Sequence, residues 1–244
     1  MIEDGDRGFT LGDGLFETLL VEDGLVRRAQ MHWDRLAAGC AVLGLPAPDW
    51  GAIATPKLTE PGRFALRVNW SAGSGGRGLD RPKPMRPQMS FVVASSPLPG
   101  PARLVTASSV RRNAMSPASR LKTLSYLDNV LAREEARAHG GDEAVMLNTD
   151  GNLACAAAAN LFWIAEGRVF TPALDCGVLA GIARAQLMAA HPVQEVAAVR
   201  EALDGAEAVF LTNSLVGVRA VASLDGRALA PHPLVGSLRA ALEL

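Results

Sequence analysis

Residues 119–132 read Ser-Arg-Leu-Lys122-Thr-Leu-Ser-Tyr126-Leu-Asp-Asn-Val-Leu-Ala132. Lys122 has apolar neighbours and stands at the start of a predicted helix over 124–138, which His139-Gly140-Gly141 would stop. The chain has only three lysines and uses arginine for its other cationic side chains. Lys57 lies in Thr-Pro-Lys-Leu-Thr-Glu-Pro and Lys83 in Arg-Pro-Lys-Pro, both of which read as solvent loops. A lysine kept at an ordered position raises the question of what arginine cannot do there. Arginine does not deprotonate to form an imine, whereas a partly desolvated lysine does. On the residues alone, a structural lysine and a nucleophilic one both remain open.

Towards the N-terminus, residues 9–21 read as an apolar strand, turned by Glu22-Asp23-Gly24 into a second strand at Leu25–Arg28. Residues 30–44 have helical spacing, with Gly44 and Pro46 as the stop. Phe64–Trp70 alternates as a half-buried strand, and Ser90–Ala94 is a further short one. Ser-Ser-Pro-Leu-Pro-Gly-Pro-Ala at 95–102 is the best linker candidate, and Leu104–Val110 follows it. Beyond the lysine, strands at 143–148 and 160–165 are expected to flank a turn at Asp150-Gly151. Arg168–Thr171 and Ala208–Thr212 read as strands, Gly181–Ala190 as a helix, and a short helix ends the chain. This pattern gives two α+β domains divided near residue 100.

The chain has 244 residues, is 49% hydrophobic and carries a net charge of −1, so it can build a core and has no bias towards nucleic acid. The N-terminus lacks the basic and apolar regions of a signal peptide, and the apolar run at Leu153–Ala165 is too short for a bilayer. Cys40, Cys155 and Cys176 suggest neither a disulfide frame nor a metal site. A cytoplasmic protein is expected. Gly73-Ser-Gly-Gly-Arg77-Gly78 matches a dinucleotide fingerprint, but the proline-rich segment after it cannot form the required helix. A surface loop or a substrate-side loop are the two readings left.

The segment Lys122–Ala132 resembles the lysine block of the class IV, or fold-type IV, pyridoxal-phosphate (PLP) family of aminotransferases and aminodeoxychorismate lyases. Supporting blocks follow in the same order: Phe9–Thr18, His32–Leu36, Asn160–Phe162, Thr171-Pro172, Leu179–Arg184 and Leu211–Ser214. The resemblance implies a two-domain α+β fold like that of D-amino acid aminotransferase. A smaller domain would span 1–96, a linker 97–102 and a larger PLP-binding domain 103–244. It also implies a homodimer acting on a small amino substrate, with no nucleic acid or membrane partner.

Under the same resemblance Lys122 is the Schiff-base lysine and the proton-transferring base. Arg35 binds the phosphate together with Gly181, Ile182 and Ala183 at a helix start and with Asn213 and Ser214. Tyr126, placed one helical turn beyond Lys122, faces the cofactor ring or its phenolic oxygen. Arg77 and Arg112 are candidates for substrate carboxylates, and each also reads as a solvated loop charge. Thr18 is a candidate proton donor.

The chain departs from the family where a glutamate usually pairs with the pyridine nitrogen, because Cys155 stands there. A thiol is a weak partner for that nitrogen, and a merely packing cysteine is an equal reading. Ala72 replaces an arginine before the glycine loop, and Ala220 replaces a common proline. The implied reaction is lysis of 4-amino-4-deoxychorismate to 4-aminobenzoate and pyruvate, a step towards folate. The alternatives are amino transfer on branched-chain or D-amino acids, and a weakly active PLP-binding paralogue.

Overall fold

The computed structural model describes residues 3–52, 56, 58 and 60–242; the expectation for Lys57 lies outside them. The chain divides into two compact units, Met1–Pro97 with Leu121–Ser125, and Leu98–Arg120 with Tyr126–Leu244. This corrects the assignment of Lys122 to the larger domain. The lysine belongs to a five-residue segment that groups with the first unit.

The first unit begins with α1 (Arg7–Leu11), not with a strand. Asp6 caps it, its Oδ1 accepting from the N–H groups of Gly8 and Phe9, and Gly12 closes it in the left-handed region. β1 (Gly14–Glu22), β2 (Leu25–Val26), α2 (Ala29–Leu43), β3 (Arg63–Ser71) and β4 (Gln88–Ser95) follow. The strands form one antiparallel sheet in the order β2-β1-β3-β4. Leu15, Leu19 and Val21 share one face of β1 and are buried, and Phe16 and Leu20 on the opposite face are buried too, so β1 is covered on both sides. Leu36 and Cys40 of α2 join Leu15 in one apolar cluster. No helix follows the glycine loop, as its prolines dictate. Arg7 tethers that loop by donating to the carbonyls of Gly78, Leu79 and Asp80 at 3.0–3.1 Å.

The second unit runs β5 (Ala102–Thr106), α3 (Pro117–Arg120), α4 (Leu127–Ala138), β6 (Glu143–Leu147), β7 (Leu153–Ala156), β8 (Asn160–Ala165) and β9 (Arg168–Pro172). It continues with α5 (Ile182–Ala190), β10 (Val193–Val196), β11 (Ala208–Asn213), β12 (Gly217–Leu224), β13 (Arg227–Ala228) and α6 (Pro233–Leu242). One mixed sheet has the order β10-β9-β8-β11-β12-β5-β6-β7, with β13 on β12. The turn at Asp150-Gly151 joins β6 to β7, a strand not anticipated, and not directly to β8.

Strands β8 and β11 are apolar on both faces because both are covered. Phe162, Ile164 and Phe210 pack with Leu187 and Leu238 of α5 and α6, while Leu161, Trp163, Val209 and Leu211 fill the core on the other side. Phe162 and Phe210 stack with centroids 5.1 Å apart, adding about 0.5–1.5 kcal/mol beyond area burial. No described helix is long and apolar enough to cross a membrane.

Candidate active site

In the first unit one buried carboxylate gathers two side chains of α2. Glu17 lies on the same strand face as Leu15 and Leu19 and is 1% exposed. α2 brings His32 and Arg35 to it, three residues apart and therefore on one helical face. Arg35 Nε donates to Glu17 Oε1 at 2.8 Å, and Arg35 Nη2 to Oε2 at 2.6 Å. His32 Nδ1 donates to the same Oε2 at 2.7 Å. Burial raises the Glu17 pKa, but Arg35 and His32 outweigh it and hold the carboxyl below its ordinary value. Burial lowers His32, so its ring is neutral at pH 7, with the proton on Nδ1.

Lys122 reaches this neighbourhood in a turn that pairs with β1, not on a helix. Phe16 N–H donates to Lys122 O at 2.8 Å and Leu124 N–H to Gly14 O at 2.9 Å, with Leu15 opposite Thr123. Gly14 permits the approach, because a Cβ there would lie 2.4 Å from Trp70 O and 2.8 Å from Leu124 Cδ1. The Lys122 ammonium sits 4.0 Å from the centroid of the Phe16 ring, and Arg67 Cζ lies 3.7 Å from that centroid. Thr18 lies directly across the sheet from Arg67. Burial first, then the Arg35 and Arg67 charges, push Lys122 down to about 7 against the opposing pull of Glu17. The half-buried lysine is therefore poised between its two protonation states near neutral pH.

The expected helical turn between Lys122 and Tyr126 is absent. Backbone hydrogen bonds to β1 fix Lys122–Leu124 in a turn and bridge, and α4 begins only at Leu127, with Tyr126 as its N-cap residue. The first unit thus brings together Lys122, Arg35 and Thr18 of the expected residues. Arg77 is exposed in the glycine loop and makes no side-chain hydrogen bond or ion pair with a described residue.

The remaining expected residues lie in the second unit. Gly181 precedes α5 and no side chain caps it, so the first N–H groups of Ile182 and Ala183 remain suited to an anion. A Cβ at Gly181 would fall 1.9 Å from Asn160 Oδ1, which explains glycine there. Asn213 Oδ1 accepts from Leu215 and Val216 N–H at 3.0 Å, fixing the turn that carries Ser214. Cys155 lies on β7 opposite Met146 and is buried. Burial raises its pKa, the Arg112 charge opposes the shift and Glu143 adds to it, so Cys155 is a neutral thiol at pH 7. Arg112 is no solvated loop charge. It is 7% exposed, donates from Nη1 to Asn129 Oδ1 at 3.2 Å and from Nη2 to Ser119 O, and leaves Nε without a partner.

The sequence assigns no role to Glu17, His32 or Arg67, although each leaves a signal. Glu17 is a charge inside an otherwise apolar strand, and His32 lies one turn before Arg35. Arg67 occupies a half-buried position of an alternating strand.

The model of the amino-transferase class IV family matches residues 14–224, and the chain belongs to that family. It is 29% identical over 238 residues to an aminodeoxychorismate lyase of Vibrio harveyi, covering 91% of this chain and 86% of the relative. The crystal structure of the 4-amino-4-deoxychorismate lyase from Pseudomonas aeruginosa superposes with a TM-score of 0.87 at 28% identity, covering 99% of this chain and 94% of that one. A fold IV transaminase from Curtobacterium pusillum has a TM-score of 0.85, also at 28% identity, with 99% and 87% covered. The protein is a PLP-dependent enzyme of this class, with the fold-type IV architecture. The residues present fit that cofactor. In the first unit a lysine of reduced basicity can form the imine and an arginine is a donor suited to phosphate; in the second, taken by itself, the uncapped start of α5 is suited to an anion.

Proposed function

We propose that the chain is a 4-amino-4-deoxychorismate lyase, releasing pyruvate and 4-aminobenzoate, and that it works as a cytoplasmic homodimer. The observation that carries this reading is Cys155, a buried neutral thiol at the position where the family resemblance implies a glutamate. PLP supplies an electron-withdrawing ring conjugated to the substrate nitrogen, and a protonated ring nitrogen strengthens that pull. A neutral thiol does not stabilise such a proton as a carboxylate does. Amino transfer depends on that pull for long enough to return a proton to the cofactor. Lysis depends on it less, because expulsion of pyruvate leaves an aromatic ring. Similarity to two lyases supports the same choice.

In this reading Lys122 holds the cofactor and then moves the proton at Nζ, for which a pKa of about 7 is well matched. Arg35 and the N–H groups at Gly181, Ile182 and Ala183 bind phosphate, with Asn213 and Ser214 shaping the adjoining turn. Tyr126 serves the ring or its phenolic oxygen. Arg77 and Arg112 offer cations to the two substrate carboxylates, and Thr18 a hydroxyl on the strand face it shares with Arg67. The second reading, amino transfer, is favoured by the equal identity to the fold IV transaminase.

Purified protein should release pyruvate from aminodeoxychorismate in a coupled assay and show little 2-oxoglutarate-dependent amino transfer. Replacing Cys155 by Glu should raise amino transfer more than lysis. Strong amino transfer without pyruvate release would establish the second reading, and a rise in lysis alone in the variant would refute the argument from Cys155.

A further inference from the structure

We propose that Glu17 is a positioning residue of the active site: its carboxylate, held by Arg35 and His32, is the fixed anion that orients Arg35 and offsets the cations around Lys122. The inference rests on the assignment of Lys122 as the cofactor-bearing lysine.

Its first support is the geometry. Both Glu17 oxygens are used, one by Arg35 Nε and the other by Arg35 Nη2 and His32 Nδ1, all at 2.6–2.8 Å. A bidentate grip of this kind fixes the plane of the guanidinium, which a single contact would leave free to turn. The second support is burial. Glu17 and His32 are each 1% exposed, so solvent cannot substitute for either partner. A buried carboxylate in an apolar strand is costly unless it is paired, and both partners come from a single helix. Register between α2 and β1 is thereby tied to the position of Arg35.

The third support is the charge balance. The groups acting on Lys122 are Arg35 from α2, Arg67 from β3 and Glu17 from β1. His32 lies close enough to feel the lysine but is neutral, with Nδ1 committed to Glu17 and Nε2 buried without a partner. Glu17 is thus the anion opposing two arginines. Without it, both remain and the proton on Lys122 Nζ is held less firmly. A carboxylate that merely packed α2 on the sheet would not act on that proton.

The test is a pH titration of the visible absorption band of the PLP-loaded protein, with melting temperature recorded alongside. Glu17→Gln preserves shape and removes the charge, and its titration midpoint should fall by about one pH unit, a tenfold change in proton affinity. Glu17→Asp keeps the charge and should hold the midpoint to within about 0.3 unit. A midpoint in Glu17→Gln equal to that of the unmodified protein, or equal shifts in both variants, overturns the inference. Should Glu17→Gln fail to fold, Arg35→Gln and the double variant Glu17→Gln/Arg35→Gln replace it at saturating PLP. The double variant removes the buried ions as a pair, and its midpoint should lie about tenfold in proton affinity below that of Arg35→Gln. Identical midpoints overturn the inference equally. A different failure, no visible band even in the unmodified protein, would remove the cofactor assignment of Lys122 instead.

Discussion

Lys122 is unusual for its proton affinity, and the residues responsible can be named. Burial and the charges of Arg35 and Arg67 bring it from an ordinary 10.5 down to about 7, with Glu17 opposing. Only the neutral amine attacks an aldehyde. Capture of free PLP by the apoprotein, followed by stopped-flow absorbance, should therefore accelerate as pH rises through about 7 and level off by about pH 9. A rate still climbing in proportion to hydroxide above that point would describe a solvent lysine. The sequence made Lys122 legible because the competing lysines were so few. Its neighbours were harder to see. Glu17 and Arg67 are strand residues, and a strand's alternation reveals which face a side chain takes but not what approaches that face. Their meaning depends on α2 and on the 121–125 segment, both distant along the chain.

Among the elements, long periodic segments were readable and short ones were not. α2, β3 and β8 fall within two residues of their expected bounds, since α2 carries helical apolar spacing, β3 alternates and β8 is a continuous apolar run. α1 was misread as strand because five residues cannot display a helical period and Phe9 is 76% exposed. Its determinant is the cap. Asp6 accepts from two helical N–H groups and from Ser71 Oγ at 2.6 Å. Asp6→Ala should cost about 1–2 kcal/mol in chemical denaturation. A loss well below this would mean that α1 is held by its other contacts and not by the cap. The helix beyond Lys122 was expected to start at residue 124, three residues too early. Apolar spacing there suits a helix, but the glycine at position 14 leaves room for backbone pairing, and that tertiary contact decides. β7, β10 and β12 were missed because β7 is alanine-rich, β10 short and polar, and β12 buries every third residue instead of every second.

For the molecule as a whole, composition and ordered motifs were sufficient for the family, the cofactor and an α+β fold. The boundary between units was only partly legible. The linker near residue 97 is marked by its prolines, but nothing local marks the return of Leu121–Ser125 to the first unit. That return gives Lys122 its neighbours, so which lysine of the chain carries the cofactor is decided by tertiary structure. Borohydride reduction of the PLP-loaded protein, followed by peptide mass mapping, tests it most directly. The expected result is a pyridoxyl adduct on Lys122, with Lys57 and Lys83 unmodified. An adduct on either of those lysines in place of Lys122, or no adduct in protein that shows the visible band, would contradict it.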